Sequence, residues 1–262
     1  MFSDFIDHLI KEGKCCFNHQ DAMSYLGKSK KAIQSSVEHL LAKNELVSPV
    51  KGFYVILPPE YRKLGCLPAA FFLPYLMEHL GLDYYVGLLS AAAYYGASHQ
   101  ALQVCQVMIK ASRIPLTCGE VKIKFIAKKN LDITLTKDFN TPKSIVKVSS
   151  PEETLIDILN YIPQSGGLNH IATIINELYE AIGQAQFKKL IDEHPLVPWK
   201  QRLGYILDQL GLGELSAMLK DSLLLKKRVD YIPLSPSAEH NLAATKNNKW
   251  KIIENTNIES DL

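Results

Sequence analysis

The stretch most informative about the fold covers residues 18–57 and reads NHQDAMSYLGKSKKAIQSSVEHLLAKNELVSPVKGFYVIL. Its first part predicts a short helix that Asn18 caps and Gly27 ends. Its middle predicts a longer helix that Ser29 caps and whose apolar residues recur at the helical period. Its last part holds two β-rich runs around the turn SPVKG, a pattern typical of a hairpin. The stretch therefore predicts a helix, a turn, a second helix and a hairpin, in that order.

An amphipathic helix is expected before this stretch, since apolar side chains fall on one helical stripe of residues 2–10. Two consecutive prolines, Pro58 and Pro59, follow the hairpin and cannot continue a ladder of backbone hydrogen bonds. Helix, helix, turn, helix and hairpin is the order of a winged helix-turn-helix. We therefore expect a winged helix-turn-helix DNA-binding domain over residues 1–60.

A second, larger domain is predicted over residues 69–262, after a proline-bearing connector at 58–68. It mixes strand and helix patterns, so the expected fold class is α+β, with the N-terminal winged helix-turn-helix followed by a larger mixed α/β C-terminal domain. Strands are predicted at 104–109, 121–126 and 145–148, with edge strands at 231–232 and 250–253. Helices are predicted at 71–80, at 84–95 with Asp83 as the cap, from Ser150 onward, and over most of 168–227.

Composition sets the broad class of the protein. Of 262 residues, 47% are hydrophobic and 21% charged, which is ordinary for a globular chain, and the formal net charge is only +2. The five cysteines include no Cys-x-x-Cys pair, which argues against a disulfide framework and a structural zinc site. No signal peptide or membrane-spanning run is apparent, so we expect a cytoplasmic protein without metal or cofactor.

The outer face of the predicted third helix is where function is expected. With Ile33 at the centre of the buried side, Lys31 and Ser35 face outward, while Lys30 and Gln34 flank them. In a helix-turn-helix the second helix of the pair enters the major groove with its N-terminal residues first. Lysine can donate to guanine or phosphate, and glutamine can bond adenine. The predicted DNA-contacting residues are Lys28, Ser29, Lys30, Lys31, Gln34, Ser35 and, at the hairpin tip, Lys51.

The sequence also resembles a known family in the same order along the chain. The residues that carry the likeness are Ala22 with 26–29, then 46–47, 52–54, 84–92, 95–97, 106–108, 119–125, 150–154 and 250–255. This pattern is similar to that of the AbiEi antitoxins of AbiE abortive-infection systems, and the segment 84–97 is its most specific part. The resemblance implies a type IV toxin–antitoxin antitoxin that binds inverted repeats in its own promoter and represses its operon. It further implies a nucleotidyltransferase-like toxin as functional partner, counteracted through the C-terminal domain without a necessarily stable complex.

Other classes of function have weaker support. Glu120-Val121-Lys122 has the Glu-x-Lys spacing of one arm of a nuclease site, but no acidic residue occurs between Asp83 and Glu120 to complete it. No Asp-x-Asp pair exists to hold a nucleotidyltransferase metal, and the histidines show no metal-binding spacing. We therefore expect no catalytic residues. The alternative from another class is a non-catalytic protein-interaction module that uses the winged helix and the C-terminal domain to bind a partner protein.

Overall fold

The computed structural model describes residues 2–97, 104–194, 196–225, 228–236 and 244–258. They form two compact units, one of Met1–Val86 with Leu102–Val148, the other of Gly87–Ala101 with Ser149–Leu262. Residues up to 60 belong to the same unit as the strands that follow, so a separate domain of 1–60 stays a prediction. No helix within the described ranges has the length and apolar character needed to cross a bilayer.

The N-terminal segment of the first unit contains three helices and three short strands. They are α1 (Phe2–Lys11), β1 (Cys16–Asn18), α2 (His19–Leu26), α3 (Lys30–Ala42), β2 (Leu46–Val50) and β3 (Phe53–Ile56). The strands pair antiparallel in the order β1–β3–β2. The predicted helices and hairpin are present, and the hairpin gains a third strand, β1, that the sequence did not indicate.

A small core holds this segment together. Ile33 and Val37 of α3 are 1% and 0% exposed, and they pack with Phe5 of α1 and Phe17 of β1. The Phe5 and Phe17 rings meet edge to face with their centroids 5.2 Å apart. Because full burial of such a side chain stabilises by about 1.5–3 kcal/mol, the inner stripe fixes how α3 lies against its neighbours. The opposite face of α3 is left exposed.

The remainder of the first unit is a helix and a mixed sheet. The elements are α4 (Ala69–Leu80), β4 (Tyr85–Val86), β5 (Val104–Ile109), β6 (Leu116–Cys118), β7 (Val121–Ala127), β8 (Thr136–Asn140) and β9 (Ile145–Ser149). The sheet order is β6–β7–β5–β4–β9–β8. Pairs β5–β7 and β4–β9 are parallel, whereas β6–β7 and β4–β5 are antiparallel. The three strands predicted over 104–148 are confirmed, as is the mixed α/β character of the fold.

The prediction of one helix over 84–95 is wrong. Tyr85 and Val86 form strand β4 between β5 and β9, and the helix α5 (Leu88–Tyr94) begins only after Gly87. Asp83 therefore does not cap it. Tyr and Val favour strands, and both side chains are buried here, so sheet pairing outweighs the helical apolar pattern.

The second unit is largely helical. Besides α5 it contains α6 (Pro151–Asn160), α7 (Leu168–Leu178), α8 (Gln184–Glu193), α9 (Pro198–Gln209) and α10 (Gly213–Leu224). The predicted helix start at Ser150 is confirmed, because the Ser150 hydroxyl accepts a hydrogen bond from the Glu153 backbone N–H at 3.2 Å. The helical prediction over 168–227 also covers residues 195, 226 and 227, which lie outside the described residues.

Helix α9 organises a small sheet of the second unit, formed by β10 (Ile232–Pro233), β11 (Thr245–Asn247) and β12 (Ile252–Glu254). Buried Arg202 donates to the carbonyls of Leu234 and Pro233, both at 3.1 Å. Strands were predicted at 231–232 and 250–253, and β10 and β12 overlap these ranges by one and two residues. The prediction that both are edge strands is wrong for β12, which lies between β10 and β11.

Candidate nucleic-acid interface

The turn between α2 and α3 is short and sharply defined. The Asn18 side chain accepts hydrogen bonds from the first turn of α2, and Asp21 bonds back to the Asn18 N–H at 2.8 Å, so the helix starts with a complete capping box. Gly27 ends α2 with φ 61°, a left-handed conformation that favours glycine. Only Lys28 and Ser29 then precede α3, which places its start directly after the turn.

The start of α3 presents positive charge to solvent. Lys28, Lys30 and Lys31 are exposed, and among the described residues none of the three has an ion-pair partner. The first turn of α3 contains no acidic residue. Ser29 occupies the N-cap position with an extended backbone, but its hydroxyl makes no capping hydrogen bond. The helix therefore begins with N–H groups that no side chain caps, in a setting that suits an anion.

The side chains of α3 that are predicted to contact bases differ in their exposure and in their hydrogen-bond partners. Gln34 is partly exposed and its amide donates to the Glu38 carboxylate at 2.9 Å. Ser35 is exposed and lies at the edge of a groove in the same unit. Gln34 thus has a partner on its own helix, which sequence analysis did not foresee although the two residues are four apart.

The hairpin tip carries the last predicted contact residue. Lys51 is exposed, and Gly52 beside it has φ 83°, which the tight turn requires. The Ser48 hydroxyl bonds the carbonyls of Val50 at 2.9 Å and Phe53 at 3.0 Å, bracing the two strands below the tip. The braced tip therefore presents one exposed cation, the Lys51 ammonium.

His19 lies between the start of α3 and the hairpin tip, and sequence analysis missed it. Its Nε2 is 3.0 Å from the Tyr54 hydroxyl, and a Cβ on Gly52 would lie 3.7 Å from its ring. Burial lowers the pKa of His19, and the positive charge of Lys30 lowers it further. The charge of Lys30 thus acts on an imidazole that also lies close to Gly52 at the hairpin tip, so His19 is near both predicted basic regions. No spacing in the sequence marks this histidine.

A largely apolar groove of about 1080 Å³ runs along the first unit beside α3. Its walls include Phe2 and Ile10 of α1, Leu40 of α3, Tyr61 and Phe71. Ile10 is 50% exposed there. The groove adjoins the exposed face of α3 at Ser35.

The two residues of the nuclease alternative are both exposed. Glu120 lies in the β6–β7 turn and Lys122 on β7. Within the described ranges, no group of three or more His, Cys, Asp or Glu side chains is arranged to hold a metal ion.

Comparison with known proteins bears on the second half of the chain. Residues 85–209 match the family described as the AbiEi antitoxin C-terminal domain, and the match begins inside the segment 84–97 that carries the clearest resemblance. The chain carries an AbiEi antitoxin domain. This domain supports a role as the antitoxin of a toxin–antitoxin system, which implies a toxin as its partner.

The AbiEi antitoxin also resembles a solved structure, the RV2827C protein from Mycobacterium tuberculosis. The two are 17% identical with a TM-score of 0.68, over 96% of this chain and 90% of that chain. At this identity the likeness concerns the fold alone. No curated protein matches the sequence significantly.

Proposed function

We propose that this AbiEi antitoxin is a sequence-specific repressor that binds double-stranded DNA of its own promoter through α3 and the β2–β3 hairpin. In this view residues 1–60 act as a winged helix-turn-helix, with α3 as the recognition helix and the hairpin as the wing. The observation that carries the proposal is the start of α3, where Lys28, Lys30 and Lys31 are exposed and have no ion-pair partner in the part of the chain that the structure describes, beside the uncapped helix end.

The physical argument is electrostatic and geometric. A duplex phosphate placed at the start of α3 would meet backbone N–H groups, the positive end of the helix dipole and three ammonium groups at once. Neutralising phosphates releases condensed counterions, so this contact supplies affinity without the protein needing a large net charge. Farther along α3, Gln34 and Ser35 would reach base edges, and Lys51 would contact the backbone on the hairpin side.

The part of the proposal that concerns the toxin is based on the family resemblance. We infer that the partner toxin is nucleotidyltransferase-like, that the system is of type IV, and that the operator contains inverted repeats, as the resemblance implies. The C-terminal domain would neutralise the toxin with or without a stable complex. The family is generally non-enzymatic, and absence of catalysis in this chain stays a prediction.

The decisive experiment is a gel shift with the DNA upstream of the gene. The double variant Lys30→Glu/Lys31→Glu should lose saturable binding, because two cations at the groove entrance become anions. The matched control is Lys188→Glu/Lys189→Glu, which makes the same charge change at two exposed lysines on α8. The control should bind like the wild type, and single alanine variants at Lys30 or Lys31 should each reduce the salt slope by about one unit.

Co-expression with the toxin separates the two halves of the function. A Lys30→Glu/Lys31→Glu variant that no longer represses its promoter but still rescues growth would assign DNA binding to α3 and neutralisation to another surface. Unchanged DNA binding in that variant would refute the recognition-helix assignment.

A second candidate function is a protein-interaction module, and the apolar groove beside α3 favours it. Its occupant would be an apolar segment of the toxin, packed against Ile10 and Phe71. An Ile10→Asp variant tests this directly: lost toxin neutralisation with intact DNA binding supports docking in the groove. Ile133→Asp is the matched control, because Ile133 is also exposed (67%) and does not line the groove.

A further inference from the structure

Two distant segments of the first unit run side by side at the edge of the six-stranded sheet. The Glu120 backbone N–H donates to the Leu64 carbonyl at 2.9 Å. Gly65 and Gly119 touch backbone to backbone: a Cβ on Gly119 would lie 2.2 Å from the Leu64 oxygen, and a Cβ on Gly65 would lie 3.1 Å from the Gly119 Cα. Leu64 meets Glu120 and Gly65 meets Gly119, so the two segments run in opposite directions at this contact.

Cys66 and Cys118 are the next residues on the two segments beyond the Gly65–Gly119 contact. Each thiol shifts the pKa of the other, so their side chains are neighbours, and the residues are 0% and 4% exposed. A disulfide spans Cα atoms about 4.4–6.8 Å apart, a separation that residues flanking two touching glycines can adopt. Glycine on both sides of the backbone contact allows this approach, because any other residue at Gly119 would force the segments apart.

We propose that Cys66 and Cys118 form a reversible disulfide when the protein meets a peroxide. The Cys118 thiolate attacks one peroxide oxygen, the O–O bond breaks, and a sulfenic acid and water result. The Cys66 sulfur then attacks the Cys118 sulfur, the S–O bond breaks, and a second water leaves. In total, two thiols and one hydrogen peroxide give one disulfide and two waters.

Cys118 is the attacking residue for two structural reasons. The hydrogen bond from the Cys66 thiol lowers the pKa of Cys118 and raises that of Cys66. Cys118 also ends the outer strand β6 and is the more accessible of the pair. By comparison, burial raises the pKa of Cys105 to about 12, which leaves it a poor nucleophile.

The bond would tie the end of the 58–68 connector to the β6–β7 hairpin and close a loop of about fifty residues. Closing a loop of this length restricts the unfolded chain, so the oxidised protein should be more heat-stable than the reduced one. A disulfide between cysteines close in the sequence would close a shorter loop and stabilise less.

The test is peptide mapping of the full chain after peroxide treatment and alkylation of the remaining thiols. The expected result is a cross-linked peptide pair containing Cys66 and Cys118, a fall from five free thiols to three, and full reversal by dithiothreitol. In Cys66→Ser, whose hydroxyl keeps a hydrogen-bond donor beside Cys118, the link should disappear and dimedone should trap a sulfenic acid at Cys118. In Cys105→Ala, the matched control, the link should form as in the wild type.

A measurement on the wild-type protein avoids dependence on whether the variants fold. Oxidation should raise the Tm by about 5 °C, and reduction should remove the increase. If Cys66 and Cys118 are recovered fully alkylated after peroxide treatment, or if the links recovered join other cysteines, the proposal is wrong.

Discussion

The Gln34 amide donates a hydrogen bond to the Glu38 carboxylate, 2.9 Å away and one turn farther along α3. This bond occupies the side chain proposed to read a base and keeps a negative charge on the DNA-facing helix. We expect Glu38→Ala to bind operator DNA about threefold to tenfold more tightly, because it frees Gln34 and removes repulsion from phosphates. Fluorescence anisotropy titration at fixed salt measures the change.

The control for this prediction is Glu45→Ala, which removes the same charge just beyond the end of α3. It should change affinity less than Glu38→Ala does. Equal affinity of Glu38→Ala and the wild type, in a protein whose binding depends on Lys30 and Lys31, would show that the Gln34 side of α3 faces away from the duplex.

His19 predicts a pH dependence of DNA binding. Burial, followed by the charge of Lys30, lowers its pKa, so the imidazole is neutral at neutral pH in the free protein. A phosphate that neutralises Lys30 would raise the pKa of His19, and DNA binding would then take up a proton. Affinity should therefore increase between about pH 7.5 and pH 6, by about threefold more in the wild type than in His19→Gln.

The lowered pKa of His19 predicts that acidification destabilises the folded protein, although it strengthens DNA binding. Because the pKa of His19 is lowered in the folded protein, its contribution to stability is complete above the ordinary histidine pKa and is lost as the pH falls through the folded value. Binding and folding measurements should thus change in opposite directions on acidification. His170→Gln, at an exposed site on α7, is the control, and identical pH profiles for it and His19→Gln would contradict the prediction.

Local signals in the sequence were sufficient for the helices around the proposed interface. Asn18 and Gly27 mark the two ends of α2 through a capping box and a left-handed residue, and both effects depend only on neighbours in the chain. Ile33 and Val37 reveal the buried side of α3 through the helical period. Such features can be predicted because the residues that cause them are close in sequence.

Features that depend on distant partners could not be predicted in the same way. β1 and β4 are three and two residues long, and each is a strand only because of the strand it pairs with. The proximity of Cys66 and Cys118 depends on a backbone contact between two segments about fifty residues apart. By contrast, the Gln34–Glu38 bond follows from an i, i+4 spacing, and the sequence alone would have permitted it.

We predict that any side chain at Gly204 of α9 destabilises the second unit. A Cβ at this position would lie 2.2 Å from the ring of Trp250, which is 0% exposed. Gly204→Ala should therefore lower the free energy of unfolding by about 3 kcal/mol, since neither the ring nor the helix backbone has room to move. Denaturant unfolding followed by tryptophan fluorescence measures the loss.

Two variants make the cause of that loss identifiable. Gly213→Ala, where an added Cβ would meet nothing within 4 Å, should be neutral or slightly stabilising. Combining Gly204→Ala with Trp250→Leu should cost less than the sum of the single changes, because the smaller side chain relieves the overlap. Strict additivity would mean that the glycine is needed for another reason.

Asp208 should make the stability of the second unit depend on acidic pH. Its Oδ2 accepts hydrogen bonds from Trp250 Nε1 and Lys249 Nζ, each at 2.6 Å. Burial works to raise the pKa of Asp208, but these hydrogen bonds outweigh it and the pKa is lowered. The carboxylate therefore contributes stability above about pH 4, and the contribution is lost as the pH falls through the lowered pKa.

Asp208→Asn should lower the free energy of unfolding by about 1–3 kcal/mol at pH 7 and by progressively less below pH 4. Asp221→Asn, at an exposed site on α10, should be nearly neutral at both pH values. A deficit in Asp208→Asn that stays constant down to the lowest pH would show that side-chain shape, rather than the carboxylate charge, holds Trp250 in place.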